Sequence, residues 1–133
     1  MRILLLVAIG MATAYGAEMS KVEWGKYLAE EVAKCQLCHT PTDDKGDLDA
    51  GKNMKGKVQT VQPIDEIKGW HKTSPDITPD SRKWKQWGGE AAMVKFLTTG
   101  LAPNGKPADP PMPAYKLKQA DAEAIVEYLK TLK

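Results

Sequence analysis

Three stretches of the chain repeat apolar residues at helical spacing. Trp24, Leu28, Val32 and Cys35 fall on one face of a helix over residues 20–34. Met93, Phe96, Leu97 and Leu101 make the stripe of a helix over residues 90–100. Ala122, Ile125, Val126, Leu129 and Leu132 make that of a closing helix over residues 120–132, with Tyr128 beside it. Between these lie two irregular stretches, residues 40–70 and 102–117. Glycine and proline punctuate the first, and neither a helical nor a strand period persists in it. The expected fold class is all-α.

Local signals set the ends of these helices. Ser20 is placed to cap the first, with Glu23 as its capping-box partner. Gly25 inside that helix costs about 1 kcal/mol relative to alanine. It marks either a close contact with another helix or a tolerated glycine. Gly88 or Gly89 suits the N-cap of the middle helix, and Gly100 its C-terminal cap. Thr78 followed by Pro79 reads as the cap and first position of a short helical turn leading to Trp84 and Trp87. A connection as long as residues 40–70 is usually functional or disordered, and wrapping a cofactor edge would order it. Lys52, Lys55, Lys57, Lys68 and Lys72 are dispersed along it and just beyond. A solvated surface suits them better than a docking patch.

Residues 1–17 read as a secretory signal. Arg2 opens it, an apolar run follows, and small residues Ala12, Ala14, Gly16 and Ala17 close it. The run is shorter than the about 20 residues that cross a bilayer, so cleavage is expected rather than anchoring. Cuts after Ala14, Gly16 or Ala17 all fit. The expected mature domain is residues 18–133, exported and not membrane-spanning. The whole chain of 133 residues carries 19 basic and 17 acidic side chains, and the leader removes only Arg2. That near-balance argues against a nucleic-acid binder. The chain has one phenylalanine, Phe96. Such a core is thin, and a buried cofactor would fill it. The cofactor-free chain is therefore expected to fold poorly.

The candidate chemistry is concentrated in Cys35-Gln36-Leu37-Cys38-His39. A C-x-x-C-H run reads as a c-type haem attachment site. Two thiols three positions apart at a helix end can each add across one vinyl group of haem, and the next histidine then lies under the iron. A thioredoxin-like dithiol competes, but it needs no histidine after it. A structural zinc site competes too, but the chain has no other cysteine and one other histidine, His71. Met112 stands among Pro110, Pro111 and Pro113, which restrict the local backbone. That rigidity suits a sulfur held over a metal, so Met112 is the candidate second axial ligand. The alternative is a methionine that packs without bonding iron. Met93 reads better as core. Trp84 and Trp87 carry indole donors, either of which suits a haem propionate. One C-x-x-C-H implies one haem.

The chain resembles a class I monohaem cytochrome c. An exported leader, a first helix ending in the attachment motif, a long loop, a late Met112 and a closing helix occur in that order. Within the class it looks like the cytochrome domains of bacterial alcohol and sugar dehydrogenase complexes. Residues 74–80, Ser-Pro-Asp-Ile-Thr-Pro-Asp, a following Trp84 or Trp87, and Pro111-Met112-Pro113 carry that likeness. It implies helices and long loops wrapped around one haem c, with the first and last helices crossing near Gly25 and Tyr128. It implies His39 and Met112 as axial ligands. It also implies propionate contacts from Ser74, Thr78, Trp84 and Trp87. Two departures stand out. Asp76 replaces a usual asparagine, and residues 43–72 make a longer stretch than the family's. The carbonyl that orients the haem histidine is not evident.

The expected function is that of a periplasmic one-electron carrier, not an enzyme. Histidine and methionine fill both axial positions and raise the reduction potential. The expected partners are periplasmic redox proteins, a dehydrogenase donor and a terminal oxidase or reductase acceptor. The protein itself is expected as a monomer. A haem subunit fixed in a larger complex and a gas-binding sensor with an open axial site are the alternatives. A bis-histidine site using His71 is a further option, less well placed than Met112.

Overall fold

The computed structural model describes residues 18–133. The expected leader lies outside the described residues. Helix α1 spans Lys21–Tyr27. Its capping box forms as read from the sequence: the Ser20 hydroxyl accepts from the Glu23 N–H at 3.2 Å, and the Glu23 carboxylate accepts from the Ser20 N–H at 2.8 Å. A π-helical turn, Leu28–Val32, continues it. That wider turn shifts the helical register. The expected stripe of Trp24, Leu28 and Val32 therefore does not share one buried face. Leu28 is buried beside Gly25 and Ala29, whereas Val32 is 57 % exposed and Trp24 38 % exposed. Trp24 instead donates from Nε1 to Asp121 at 3.0 Å. Lys34 then turns left-handed at φ 54°, and a new short helix, α2 (Cys35–His39), begins. Cys35 reaches the core through this reversal rather than along the face of the first helix.

Residues 40–70 are better organised than their sequence suggests. A 3-10 turn, Ala50–Lys52, is capped by Asp49. Strand β1 (Lys57–Val58) pairs antiparallel with β2 (Thr73–Ser74). Two residues per strand are too few to leave an alternating pattern. Met54 is fully buried in the core, a position without helical periodicity to announce it. The loop is pinned to α2 by the Gly56 N–H donating to the His39 carbonyl at 2.7 Å.

Helix α3 (Arg82–Trp87) is capped by Ser81, which accepts from the Trp84 N–H at 3.1 Å. Thr78, with Pro79, instead opens the short turn before it, where the Ser81 N–H donates to the Thr78 carbonyl at 3.0 Å. Thr78 is fully buried, with its N–H and hydroxyl both donating to Asp76 Oδ1 at 2.7 Å. Helix α4 (Glu90–Thr99) runs between Gly89 and a left-handed Gly100. Met93, Phe96 and Leu97 are buried as expected, and Val94 joins them. Leu101 is not part of that stripe, because the chain turns at Gly100 and leaves it exposed.

Helix α5 (Gln119–Lys130) closes the fold by crossing α1. A Cβ placed on Gly25 would stand 1.8 Å from the Ala124 carbonyl oxygen, so the two backbones touch there. Of the two readings of Gly25, the close helix contact holds. Tyr128 lies one turn further along, and its hydroxyl bonds to Glu30 on the π turn. Asn53 donates to both, at 3.1 Å to Glu30 and 2.9 Å to Tyr128. The core formed by the π turn, α4 and α5 includes Leu28, Met93, Phe96, Ile125 and Leu129.

Candidate haem-binding site

A cavity of about 630 Å³ opens between α2, the turn after β2, α4 and the strap of residues 102–117. That volume lies in the usual range for small-molecule and cofactor sites, about 300–1,000 Å³. Cys35, Cys38 and His39 form one part of its wall, and Met112 and Tyr115 another. Met93, Phe96, Leu97, Ile125 and Leu129 supply an apolar lining from α4 and α5. Thiols, imidazole, thioether and a largely apolar wall are a donor set and surroundings that fit a covalently held haem. A shallower depression of about 330 Å³ beside α1 is lined by Met19, Tyr27 and four charged residues, without thiol or imidazole.

His39 is 5 % exposed. Its Nδ1 lies 2.8 Å from the Pro75 carbonyl. A carbonyl only accepts, so Nδ1 carries the proton and Nε2 keeps its lone pair for a metal. Burial lowers the imidazole pKa, against weaker opposing pulls from Pro75 and Asp76. Burial favours the neutral ring, and the Pro75 bond defines its tautomer. Such a bond orients a metal-binding histidine and raises its basicity. The Pro75 carbonyl was not legible in the sequence. Its one local signal is the Ser74-Pro75 pair at the end of β2, where proline fixes the backbone.

Burial pushes the Cys35 thiol up to about 11. A redox dithiol works through a stabilised thiolate, and Cys35 is the reverse. Among the described residues no group of three or more His, Cys, Asp or Glu side chains is arranged to hold a metal ion. The zinc alternative thus lacks its donor set. Gln59 is buried and donates to the Cys38 carbonyl at 2.9 Å, which ties α2 to the ribbon.

Of the four residues expected near propionates, the cavity wall includes Ser74 and Trp87. Trp87 meets Phe96 edge-on at 5.0 Å, and Lys83 Nζ stands 5.2 Å from its ring. Thr78 and Trp84 are placed elsewhere. Trp84 is buried in the core from the inner side of α3. Thr78 is held by Asp76 and by Lys55, whose Nζ donates to its hydroxyl at 3.0 Å. The later start of α3 leaves Thr78 in the turn before it. Asp76 is occupied by the same contacts and by Lys55 at 3.6 Å. His71 does reach the cavity wall, yet its ring is largely exposed and pairs with Asp109 at 3.2 Å.

A family model described as cytochrome c matches residues 22–133. A diheme cytochrome c-type protein of Cereibacter sphaeroides is 33 % identical over 113 residues, covering 81 % of this chain and 34 % of that protein. The chain thus spans about a third of the length of that curated relative. The solved structure of cytochrome c2 from Rhodobacter sphaeroides aligns with 86 % of this chain and 97 % of its own, at 23 % identity and a TM-score of 0.40. With residues 22–133 matched and the C-x-x-C-H spacing in place for one covalent haem c, the chain belongs to the cytochrome c family and has its all-α class I fold.

Proposed function

We propose that the protein carries single electrons through one haem ligated by His39 and Met112. When bound, the haem supplies an iron centre that cycles between two oxidation states. The chain's own residues do the rest. Cys35 and Cys38 hold the ring covalently. Pro75 fixes His39 in the tautomer that leaves Nε2 for iron. Met112 stands on the same cavity wall, partly buried against the core. That shared cavity is the observation that carries the reading. Met93 also lines it, but it is fixed within α4 and packed in the core. Ser74 and Trp87 are the wall residues proposed for the propionates.

With His39 and Met112 both holding the iron of a bound haem, the protein would exchange electrons and leave no place for a substrate at the metal. The test is a visible spectrum of the reduced protein with and without carbon monoxide. The expected result is a sharp low-spin spectrum that ignores the gas. Met112→Ala is expected to bind the gas and to lower the reduction potential, while Met93→Leu leaves both unchanged. Prompt gas binding by the parent would favour the sensor reading instead.

The signal-like residues 1–17 support export to the periplasm, with dehydrogenases as donors and oxidases or reductases as acceptors. Among the described residues no helix is long and apolar enough to cross a membrane. A second reading, a haem unit fixed in a larger assembly, draws on two observations. The matched relative is about three times the length of the aligned segment. Val58 at the end of β1 and Val61 and Ile64 on the loop after it stand exposed. Native mass of the purified protein separates a monomer from such an assembly.

A further inference from the structure

Met112 lies on a strap that crosses the cavity between two helices. The strap is tied at three levels. Before Met112, the His71 N–H donates to the Pro110 carbonyl at 2.7 Å, and the His71 ring pairs with Asp109. After it, the Leu117 N–H donates to the Leu97 carbonyl at 3.0 Å, fixing the strap to α4. The third tie is the one nearest Met112 on its C-terminal side. Tyr115, three residues on, donates from its hydroxyl to the Ala33 carbonyl at 2.8 Å. Ala33 ends the π turn, two residues before Cys35. Its own N–H donates to Leu28 at 2.8 Å, so this carbonyl is a fixed point. Lys34, in its left-handed conformation, directs the chain from there into the attachment helix.

We propose that Tyr115 is the positioning residue of the sixth ligand: its hydroxyl latches the Met112 strap to the segment that carries Cys35. The inference rests on the reading of Met112 as a ligand. The latch links the two halves of the cavity wall directly, one bearing the thiols and the other the thioether. The phenol suits the task. Its ring packs against the core and lines the cavity. An ordinary phenol is a protonated donor at neutral pH, and burial raises this one's pKa further, to about 12. Ala33 has no other use for its carbonyl among the hydrogen bonds of the described residues.

The closed strap excludes outside ligands from iron. A ligand that binds only the open form has an apparent affinity scaled by the open fraction. A neutral hydrogen bond of ordinary strength sets that fraction by about two- to tenfold. The experiment adds imidazole to the ferric holoprotein and compares four proteins: the parent, Met112→Ala, Tyr115→Phe and Tyr27→Phe. Tyr27 is an exposed tyrosine of α1 and serves as control. Met112→Ala is expected to bind imidazole most tightly. Tyr115→Phe is expected to bind about two- to tenfold more tightly than the parent, and Tyr27→Phe no more tightly. The far-red ferric band of sulfur-ligated haem should weaken in Tyr115→Phe in proportion.

Urea midpoints distinguish a latch from a general support. A support lowers the midpoint and leaves imidazole affinity at the parent value, and that result overturns the proposal. If Met112→Ala binds no tighter than the parent, Met112 is not the ligand, and the latch falls with that reading. If Met112→Ala binds tighter and Tyr115→Phe matches the parent, the ligand assignment stands and the latch alone is wrong.

Discussion

The proton on His39 is decided by an oxygen that has none to give. Pro75 offers a carbonyl at 2.8 Å, and the ring answers with Nδ1–H. Gly56 permits this arrangement. Its φ is 91°, and a Cβ there would stand 2.8 Å from the Ser74 carbonyl and 2.9 Å from the Asp76 nitrogen. Gly56→Ala should therefore push residues 74–76 away and lengthen the His39 bond. A less basic imidazole donates less to iron, so the reduction potential should rise. Left-handed strain and overpacking together should cost about 2–4 kcal/mol in urea unfolding. An unchanged potential would show that the Pro75 bond survives the substitution. Tyrosines give a second prediction at this scale. Burial raises the Tyr115 phenol to about 12, with the nearby thiols adding less, and burial and Glu30 raise that of Tyr128. Thioether formation removes the thiols' share but leaves burial. A folded pKa above the unfolded value of 10.0 contributes stability that is full below that value. It is lost as pH climbs toward the folded pKa. Urea midpoints of the holoprotein should thus fall between about pH 10 and 12, and less steeply in Tyr115→Phe.

Helices carry their signals unevenly. The capping box at Ser20 and Glu23 is a short local pattern, and it formed as read. So did the apolar faces of α4 and α5, where regular 3.6-residue spacing runs undisturbed. Val32 and Leu101 leave their expected stripes for one shared reason. Each lies where the backbone leaves the α-helical path, at a π turn and after a left-handed Gly100. Periodicity assumes a constant turn and cannot register such departures. Gly25 belongs to the same scale, because its meaning is set by a second helix. Gly25→Ala places a methyl where the Ala124 carbonyl already stands, at 1.8 Å. Backbone cannot step aside as a side chain can, so α1 and α5 must part. The loss should be about 3 kcal/mol or more, read as a lower urea midpoint of the holoprotein. A midpoint within error of the parent would mean that the crossing is looser than these helices indicate.

The C-x-x-C-H motif is legible because it is local: five consecutive residues hold both thiols and the imidazole proposed for iron. Its supports are not, because they are distant in the chain. Pro75 is 36 positions from His39, and Tyr115 is 82 from Ala33. No pattern around either residue names its partner. What does reach across the whole molecule is the scarcity of core. One phenylalanine and a cavity of about 630 Å³ are two sides of the same fact. Left as a void, that volume would cost on the order of 15 kcal/mol at about 24 cal/mol per Å³. Its open side admits water and reduces the penalty. Even a third of it matches the total stability of a marginal domain, about 5 kcal/mol. The ring is thus expected to act as the missing part of the core as well as the redox centre. Cys35→Ser with Cys38→Ser, which blocks covalent attachment, should yield a chain with little helical circular dichroism and no cooperative urea transition. Adding free haem should restore part of the helix signal, since His39 and the apolar wall remain. A haem-free chain with the parent's helicity and a sharp transition would show instead that α1, α4 and α5 suffice on their own.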